Sequence, residues 1–457
     1  MRWRTSLVIT ALVFSGISSR AVAIGSSDFP TKRLEPTMSI SAMSQLTSQE
    51  VKKISAGVIA GGAEPHQLKF PTISLTAQTR SGKDVFRLGE GWRIPMATMV
   101  SPVSYVRATG GDAMADVVAR GEVVMGESSA KVRGAQVGDV LTLRDRKFWI
   151  HPFTVGAIVA DEFVDYGDLL MSSSAAASLG DMPVSRIAVT HIVSPASVLT
   201  GLKQHGITIG TAYRLRTSWD RENPDGTLGT ATAKKLLGEF SYRPTVGSSI
   251  LVAGSWTTRN IVWKMHYTDI KLGNNCHRIV AAAIQGALTE IKSAGLSRFI
   301  NTRNTNRFGG CFVGRYNRLA GNFGAPSRHA WGMAIDINTD TNPQGGVPTM
   351  NCDVVRIFRK WGFAWGGNFW PADGMHFEYV GERRDQWGYP SRYCPNKAPL
   401  LAVTVPEFGT TTTTSTTTTT TSTTTTTSTT STTVPATSTT TSTAPSTSTT
   451  TTTAPIT

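Results

Sequence analysis

Two short stretches in the last folded third of the chain carry side chains that could act together. In Ser327-Arg328-His329-Ala330-Trp331-Gly332-Met333-Ala334-Ile335-Asp336-Ile337-Asn338, a histidine and an aspartate are separated by six residues. The second half of this stretch alternates as a strand does: Gly332, Ala334, Asp336 and Asn338 share one face, and Met333, Ile335 and Ile337 share the other. A carboxylate on a face of small residues has room beside it for a metal ion, and His329 can fold back to the same point. In Asp373-Gly374-Met375-His376-Phe377-Glu378-Tyr379, Met375, Phe377 and Tyr379 alternate toward a core, while His376 and Glu378 point the other way. Two histidines and one carboxylate with an open fourth position form a set suited to a catalytic zinc ion. Asp373 and Glu378 supply two nearby carboxylates for proton transfer.

The elements that must position these groups can be read around them. Val280, Ile284, Ala287, Leu288 and Ile291 fall on one helical face, and Gly295 stops that helix. Phe299-Ile300-Asn301-Thr302 reads as a strand. A second helix is predicted from Val354 to Trp361, with Asp353 as its cap and Gly362 as its terminator. The four cysteines Cys276, Cys311, Cys352 and Cys394 all lie in this region, and none forms a C-x2-C pair. In an exported chain they favour disulfides. The pairing Cys276–Cys311 and Cys352–Cys394 would close the first helix–strand unit and the second helix with the zinc strand.

The rest of the 457-residue chain frames this domain. Residues 1–23 read as a signal peptide: Arg2 and Arg4 precede the apolar run Leu7–Ile17, and Ala21-Val22-Ala23 offers a cleavage site. That apolar run is too short to span a bilayer comfortably, so no transmembrane segment is expected in the mature chain. Residues 24–58 are polar and Ser-rich, and read as a flexible lead-in. Residues 59–248 hold many short β-like runs, among them Glu122–Met125, Val140–Leu143 and Phe153–Val159, and read as a β-rich accessory domain. His66, His151, His191 and His205 are scattered in it without ligand spacing. Residues 251–400 form the metal-bearing domain. Residues 409–457, almost entirely Thr and Ser, cannot bury apolar surface and read as a disordered tail. The formal net charge is +14. Residues 251–408 alone hold 18 Lys and Arg against 10 Asp and Glu. Outside the cell such a charge points to anionic wall polymers and not to nucleic acid.

The motifs S-R-H-A-W-G-M-A-I-D-I-N, W-G-F-A-W-G-G and D-G-M-H-F-E are very similar to those of the VanY-like and D-alanyl-D-alanine carboxypeptidase-like zinc peptidases, which include L-alanyl-D-glutamate endopeptidases. The resemblance covers about residues 251–395. It implies one zinc ion held by His329, Asp336 and His376, Asp373 as general base, and Ser327 as the serine beside the first ligand. Glu378 is the alternative base and a partner for a ligand. The family also uses an arginine upstream of the first ligand to hold the peptide carbonyl, and Arg315 and Arg303 both compete for that place. The implied substrate is the stem peptide of peptidoglycan, in the secreted or wall-associated compartment. The carboxypeptidase branch usually carries Glu at the base position. Asp373 and the aromatic run Trp361–Gly367 look more like the endopeptidases, and both cuts stay open. Residues 126–159 resemble the extracellular core domain of MacB-type ABC permeases, within a broader likeness over about 60–215. That likeness implies a module that contacts a protein partner. The fold class expected is α+β: a small antiparallel sheet with flanking helices after a β-rich domain. Hedgehog-type signalling domains resemble the same fold and bind zinc without needing hydrolysis. A non-catalytic zinc-containing wall-binding or partner-binding protein is therefore the alternative.

Overall fold

In the computed structural model, residues 29–145, 147–210, 212–265, 274–301, 308–317 and 324–408 are described. The signal-peptide and tail readings lie outside the described residues, as do Thr302, Arg303, Arg307 and Arg318. Among the described residues, no helix is long and apolar enough to cross a membrane. The architecture is α+β.

The segment read as a lead-in contains ordered elements. Met38–Ala42 is the second strand of an antiparallel four-stranded sheet, between Tyr213–Thr217 and Arg186–Thr190, with Glu64–Leu68 at the far edge. The helix Ser48–Ala60 follows, and its start is built by a capping box between Thr47 and Glu50. It packs on the helix Pro195–Gln204 at very close range, where a Cβ on Gly201 would come within 2.2 Å of the Gly57 carbonyl oxygen. Only glycine permits that approach.

A second sheet begins with Thr72–Arg80. This strand pairs with both Ile94–Ser101 and Val140–Arg144, so six strands close on themselves, with Lys83–Arg87 added outside. The Val123–Gly126, Ile150–Val159 and Leu169–Ser172 strands complete the ring, two of its pairings being parallel. Its apolar interior includes Leu75, Val123, Met125, Leu141, Leu143 and Val155. Helix Val103–Ala119 covers one side through Val106, Met114, Val117 and Val118. The accessory region thus combines strands with substantial helix.

The sheet that carries the metal motifs has four antiparallel strands in the order Phe308–Gly310, Ala334–Ile337, His376–Tyr379, Phe363–Trp365. Helix Arg278–Ser293 buries Val280, Ile284, Ala287, Leu288 and Ile291, the face expected from their spacing. Helix Cys352–Lys360 buries Val354, Val355 and Phe358, and Phe358 stacks on Phe377 at 4.2 Å. Its cap is Asn351 and not Asp353: the Asn351 side chain accepts from the Asp353 and Val354 amides. The disulfides are Cys276–Cys311 and Cys352–Cys394, the pairing expected. The core around these elements also draws in Ala233, Leu237, Phe240 and Tyr242, which precede Leu251.

Two local expectations change. The strand read as Gly332–Asn338 is shorter, Ala334–Ile337, because Gly332 and Asn338 have φ of 62° and 56° and turn the chain at either end. A Cβ at Gly332 would also come within 2.7 Å of the His277 nitrogen. Phe299 ends a short 3-10 turn, Ser297–Phe299, instead of starting a strand. The Asn338 side chain holds this turn, donating to the Phe299 carbonyl at 2.8 Å and accepting from the Asn301 amide at 2.7 Å.

Candidate metal centre

Register brings the ligands together. Ala334–Ile337 and His376–Tyr379 pair so that Asp336 stands directly opposite His376, and Ala334 opposite Glu378. Directly opposed side chains on one face of an antiparallel pair lie within contact range. Ser327 caps the short 3-10 helix Arg328–Trp331, with its Oγ accepting from the His329 amide at 3.4 Å. The Gly332 turn then folds His329 back over the strand. His329, Asp336 and His376 offer ligand atoms that all lie within 4.8 Å of one another.

Hydrogen bonding sets the orientation of the rings. His329 Nδ1–H donates to the Cys311 carbonyl at 2.9 Å, which leaves Nε2 as the acceptor nitrogen. That Nε2 is buried and has no hydrogen-bond partner, and it lies 3.3 Å from Asp336 Oδ2. His376 Nδ1 lies 3.0 Å from Asp336 Oδ1, and its Nε2 lies 3.5 Å from Glu378 Oε2. Glu378 is 3% exposed, and Arg328 Nε is 3.3 Å from its Oε1.

The electrostatics favour a positive charge at this point. Burial alone would raise the Asp336 carboxyl, but His329 and His376 outweigh it and hold the group well below the usual carboxylate range. Burial opposes protonation of His376, yet Asp336 and Glu378 override it and push the ring up to about 10. The two carboxylates that flank the His376 ring, Asp336 and Glu378, give the pocket a negative surplus that suits a divalent cation. The donor chemistry also fits: two imidazoles and a carboxylate, one imidazole with an orphaned buried nitrogen, and a carboxylate behind the other. These residues fit zinc.

Asp373 sits at the end of the loop before His376. Its Oδ2 accepts from Gln344 Nε2 at 3.1 Å, and its Oδ1 is buried without a hydrogen-bond partner. Burial raises its pKa above the ordinary carboxylate value, against the pull of His376. Asp373, Glu378, Arg315, Ser327, Asp336 and His376 line one cleft of about 170 Å³. The structure therefore gathers every expected site residue that it describes, and Arg303 is outside the described residues. Ser327 acts as a cap. The scattered histidines stay apart from the site, and His66 is satisfied by Thr190 and Ser104 at 2.7 and 3.2 Å.

Three supporting residues were not legible in sequence. Gln344 holds Asp373, and Arg328 approaches Glu378. Asp225, 3% exposed, receives Arg359 Nε at 2.9 Å, the Trp365 amide at 3.0 Å and Asn368 Nδ2 at 2.7 Å. It thereby anchors the segment that leads from Phe363–Trp365 into the Asp373 loop. Its setting, Asn223-Pro224-Asp225-Gly226, carries only the signal of a turn.

No curated protein matches the chain. Residues 321–379 match the family described as D-alanyl-D-alanine carboxypeptidase, a span that includes all three candidate ligands and Asp373. Over those residues the chain is similar to the D-alanyl-D-alanine carboxypeptidase family, in agreement with the VanY-like resemblance of its motifs.

Proposed function

We propose that this chain is an exported zinc peptidase that hydrolyses the stem peptides of peptidoglycan. The observation that carries the reading is the meeting of His329, Asp336 and His376, the last two lining one cleft with Asp373, whose Oδ1 is unpartnered. A zinc ion held by those three residues would supply polarisation of both a water molecule and the substrate carbonyl. Asp373 Oδ1 accepts the proton of the attacking water and returns it to the leaving amine. Gln344 keeps Oδ2 in place, and the raised pKa makes the carboxylate a stronger base. Glu378 faces the His376 Nε2–H and fixes the tautomer that turns Nδ1 toward Asp336 and His329. Glu378 is thus assigned to orientation and Asp373 to proton transfer. Arg315, in the same cleft, donates to the oxygen on which negative charge develops.

The cut is either between L-alanine and D-glutamate or before the terminal D-alanine, and Asp at 373 favours the first. Export to the wall, attraction to anionic wall polymers and contact with a protein partner through the N-terminal region belong to the same proposal. Purified protein with one equivalent of zinc is given soluble pentapeptide stems, with and without chelator, and the products are weighed. Zinc-dependent release of a peptide beginning with D-glutamate supports the endopeptidase cut, and free D-alanine supports the carboxypeptidase cut. Stoichiometric zinc with intact stems would overturn the enzymatic reading in favour of a non-catalytic wall-binding protein.

A further inference from the structure

The hairpin joining strands Val140–Arg144 and Ile150–Val159 of the six-stranded ring turns through Asp145-Arg146-Lys147-Phe148-Trp149. The ladder runs one pair past the strands: the Asp145 amide donates to the Trp149 carbonyl at 3.1 Å, and the Trp149 amide donates to Asp145 Oδ1 at 2.9 Å. The backbone of this end is thus tied down, yet its apolar side chains stay outside. Phe148 is 44% exposed, Trp149 68% and Ile150 61%. Three large apolar neighbours in a row on a surface mark an interaction site. Trp149 and Ile150 are successive residues at the start of a strand, so their side chains leave opposite faces of the hairpin. A sugar ring or a flat protein surface would cover one face. A lipid interface surrounds a hairpin end and covers both.

Positive charge accompanies these groups. Arg93 and Arg144 both set their guanidinium carbons over the Phe148 ring, 5.3 and 4.8 Å from its centroid. Among the described residues, neither guanidinium forms an ion pair or a side-chain hydrogen bond with a carboxylate. Asp145 is occupied instead by the Trp149 amide and by His151 Nε2 at 3.2 Å. The segment Arg144-Asp145-Arg146-Lys147 holds three cations and one carboxylate. Arg93 adds another cation, set against Glu90, the other carboxylate that acts on Arg144. Such a surplus attracts an anionic surface through its field, within about 8–10 Å at ordinary salt, and needs no direct contact.

We propose that this hairpin end docks on an anionic lipid surface. Trp149 and Ile150 enter the headgroup boundary, and Arg93, Arg144 and Lys147 face the lipid phosphates. Aromatic and basic groups side by side are what that boundary favours. The inference stands apart from the peptidase reading; joined to it, docking keeps cleavage close to the membrane.

The test mixes the full chain with vesicles of phosphatidylcholine alone, or of phosphatidylcholine and phosphatidylglycerol in equal amounts, and measures the bound fraction by co-sedimentation. Wild type should bind the anionic vesicles at least about tenfold more tightly than the neutral ones, and salt should release it. Trp149→Ser and Ile150→Ser should each weaken binding about tenfold through lost apolar contact, with the salt dependence kept. Lys147→Gln and Arg144→Gln should each weaken it about fivefold and flatten the salt dependence. Zinc content and turnover of soluble stems should match wild type in all four, and the unfolding midpoint is read beside them. Failure to bind anionic vesicles, or binding that all four variants retain in full, would overturn the proposal. So would wild type that ignores vesicles but binds soluble polyphosphate or associates with itself through Trp149, which would give this end to a wall polymer or to a second copy of the chain.

Discussion

Among the described residues, two of the buried clusters of charged side chains, the Asp225–Arg359 pair standing apart, differ in the kinds of group they gather. In the first, Asp168 and Lys234 are fully enclosed, with Lys234 Nζ 2.9 and 3.0 Å from the two carboxylate oxygens. Asp168 also accepts from the Ala97 amide at 2.8 Å and from Ser129 Oγ at 2.7 Å, and Arg133 and Glu239 join the network. In the second, the candidate metal centre, His329 Nε2 and Asp373 Oδ1 are buried and unpartnered. The first cluster ties helix Thr230–Leu237 to the six-stranded ring, and Arg133 Nε within it is also buried without a partner. What separates the two is chemical type: among the described residues, the second alone brings two imidazoles and a carboxylate within 4.8 Å of one another. Neither buried charge nor an unmet hydrogen bond marks a functional site by itself here.

The comparison breaks most readily at the ligands. His329→Ala, Asp336→Ala and His376→Ala should each abolish zinc retention and activity while the protein stays folded; metal analysis beside circular dichroism checks this. Peptidase activity that survived metal stripping would remove the second cluster from the chemistry. Next in size, Asp373→Ala should keep zinc and lose roughly 10²–10⁴-fold in turnover. The acid limb of the wild-type pH profile should lie above the ordinary carboxylate value of ~3.9, because burial raises Asp373. Activity rises as pH climbs through that limb and the carboxylate ionises, and the limb should vanish in the variant. An unchanged rate there, with collapse in Glu378→Ala, would exchange the two roles.

The first cluster should respond in stability. Lys234→Ala leaves Asp168 buried against only Arg133, and breaking a buried pair in this way costs roughly 3–5 kcal/mol. Denaturant unfolding should show that loss, with zinc stoichiometry unchanged in the fraction that folds. Asp225→Ala sharpens the contrast, because it strips the partner from buried Arg359 and also releases Trp365 and Asn368 beside the Asp373 loop. It should cost a similar amount and lower turnover as well. A protein begun at Leu251 would lose Asp225 and the core residues Ala233, Leu237 and Phe240 together. The smallest effect is at the caps: Asn351→Ala should cost about 1 kcal/mol, read as a lower unfolding midpoint with kcat unaltered.

Legibility in sequence followed the range of the interactions. Helix Arg278–Ser293 was readable because its buried face repeats at helical spacing. The lead-in was not, since Met38–Ala42 becomes a strand only by pairing with residues about 150 and 175 positions away, in register Met38 with Val189 and Thr217. Its neighbouring helix did carry a local signal, the Thr47-Ser48-Gln49-Glu50 capping box, which the polar composition around it hid. Asp353 looked like a cap because acidic residues favour a first helical turn. Asn351 takes the place because its side chain reaches two amides at once.

By itself the sequence determined the chemical types of the site: two imidazoles and a carboxylate at spacings that alternate correctly along strands, and an aspartate shortly before the last ligand. It also favoured, through local closure, one of the three possible cysteine pairings, the one that is found. These depend on residue identity and short separation, and both survive without knowledge of the partner strands. Only the tertiary structure decided that Asp336 faces His376, since register is set by pairing across 40 residues. Only it placed Asp225 under the Trp365 strand from 140 positions away, and brought Phe70–Ile73 and Pro326 to line one cavity. Such contacts follow from how separate hydrophobic faces pack, and no local pattern encodes which distant residue will fill the remaining space.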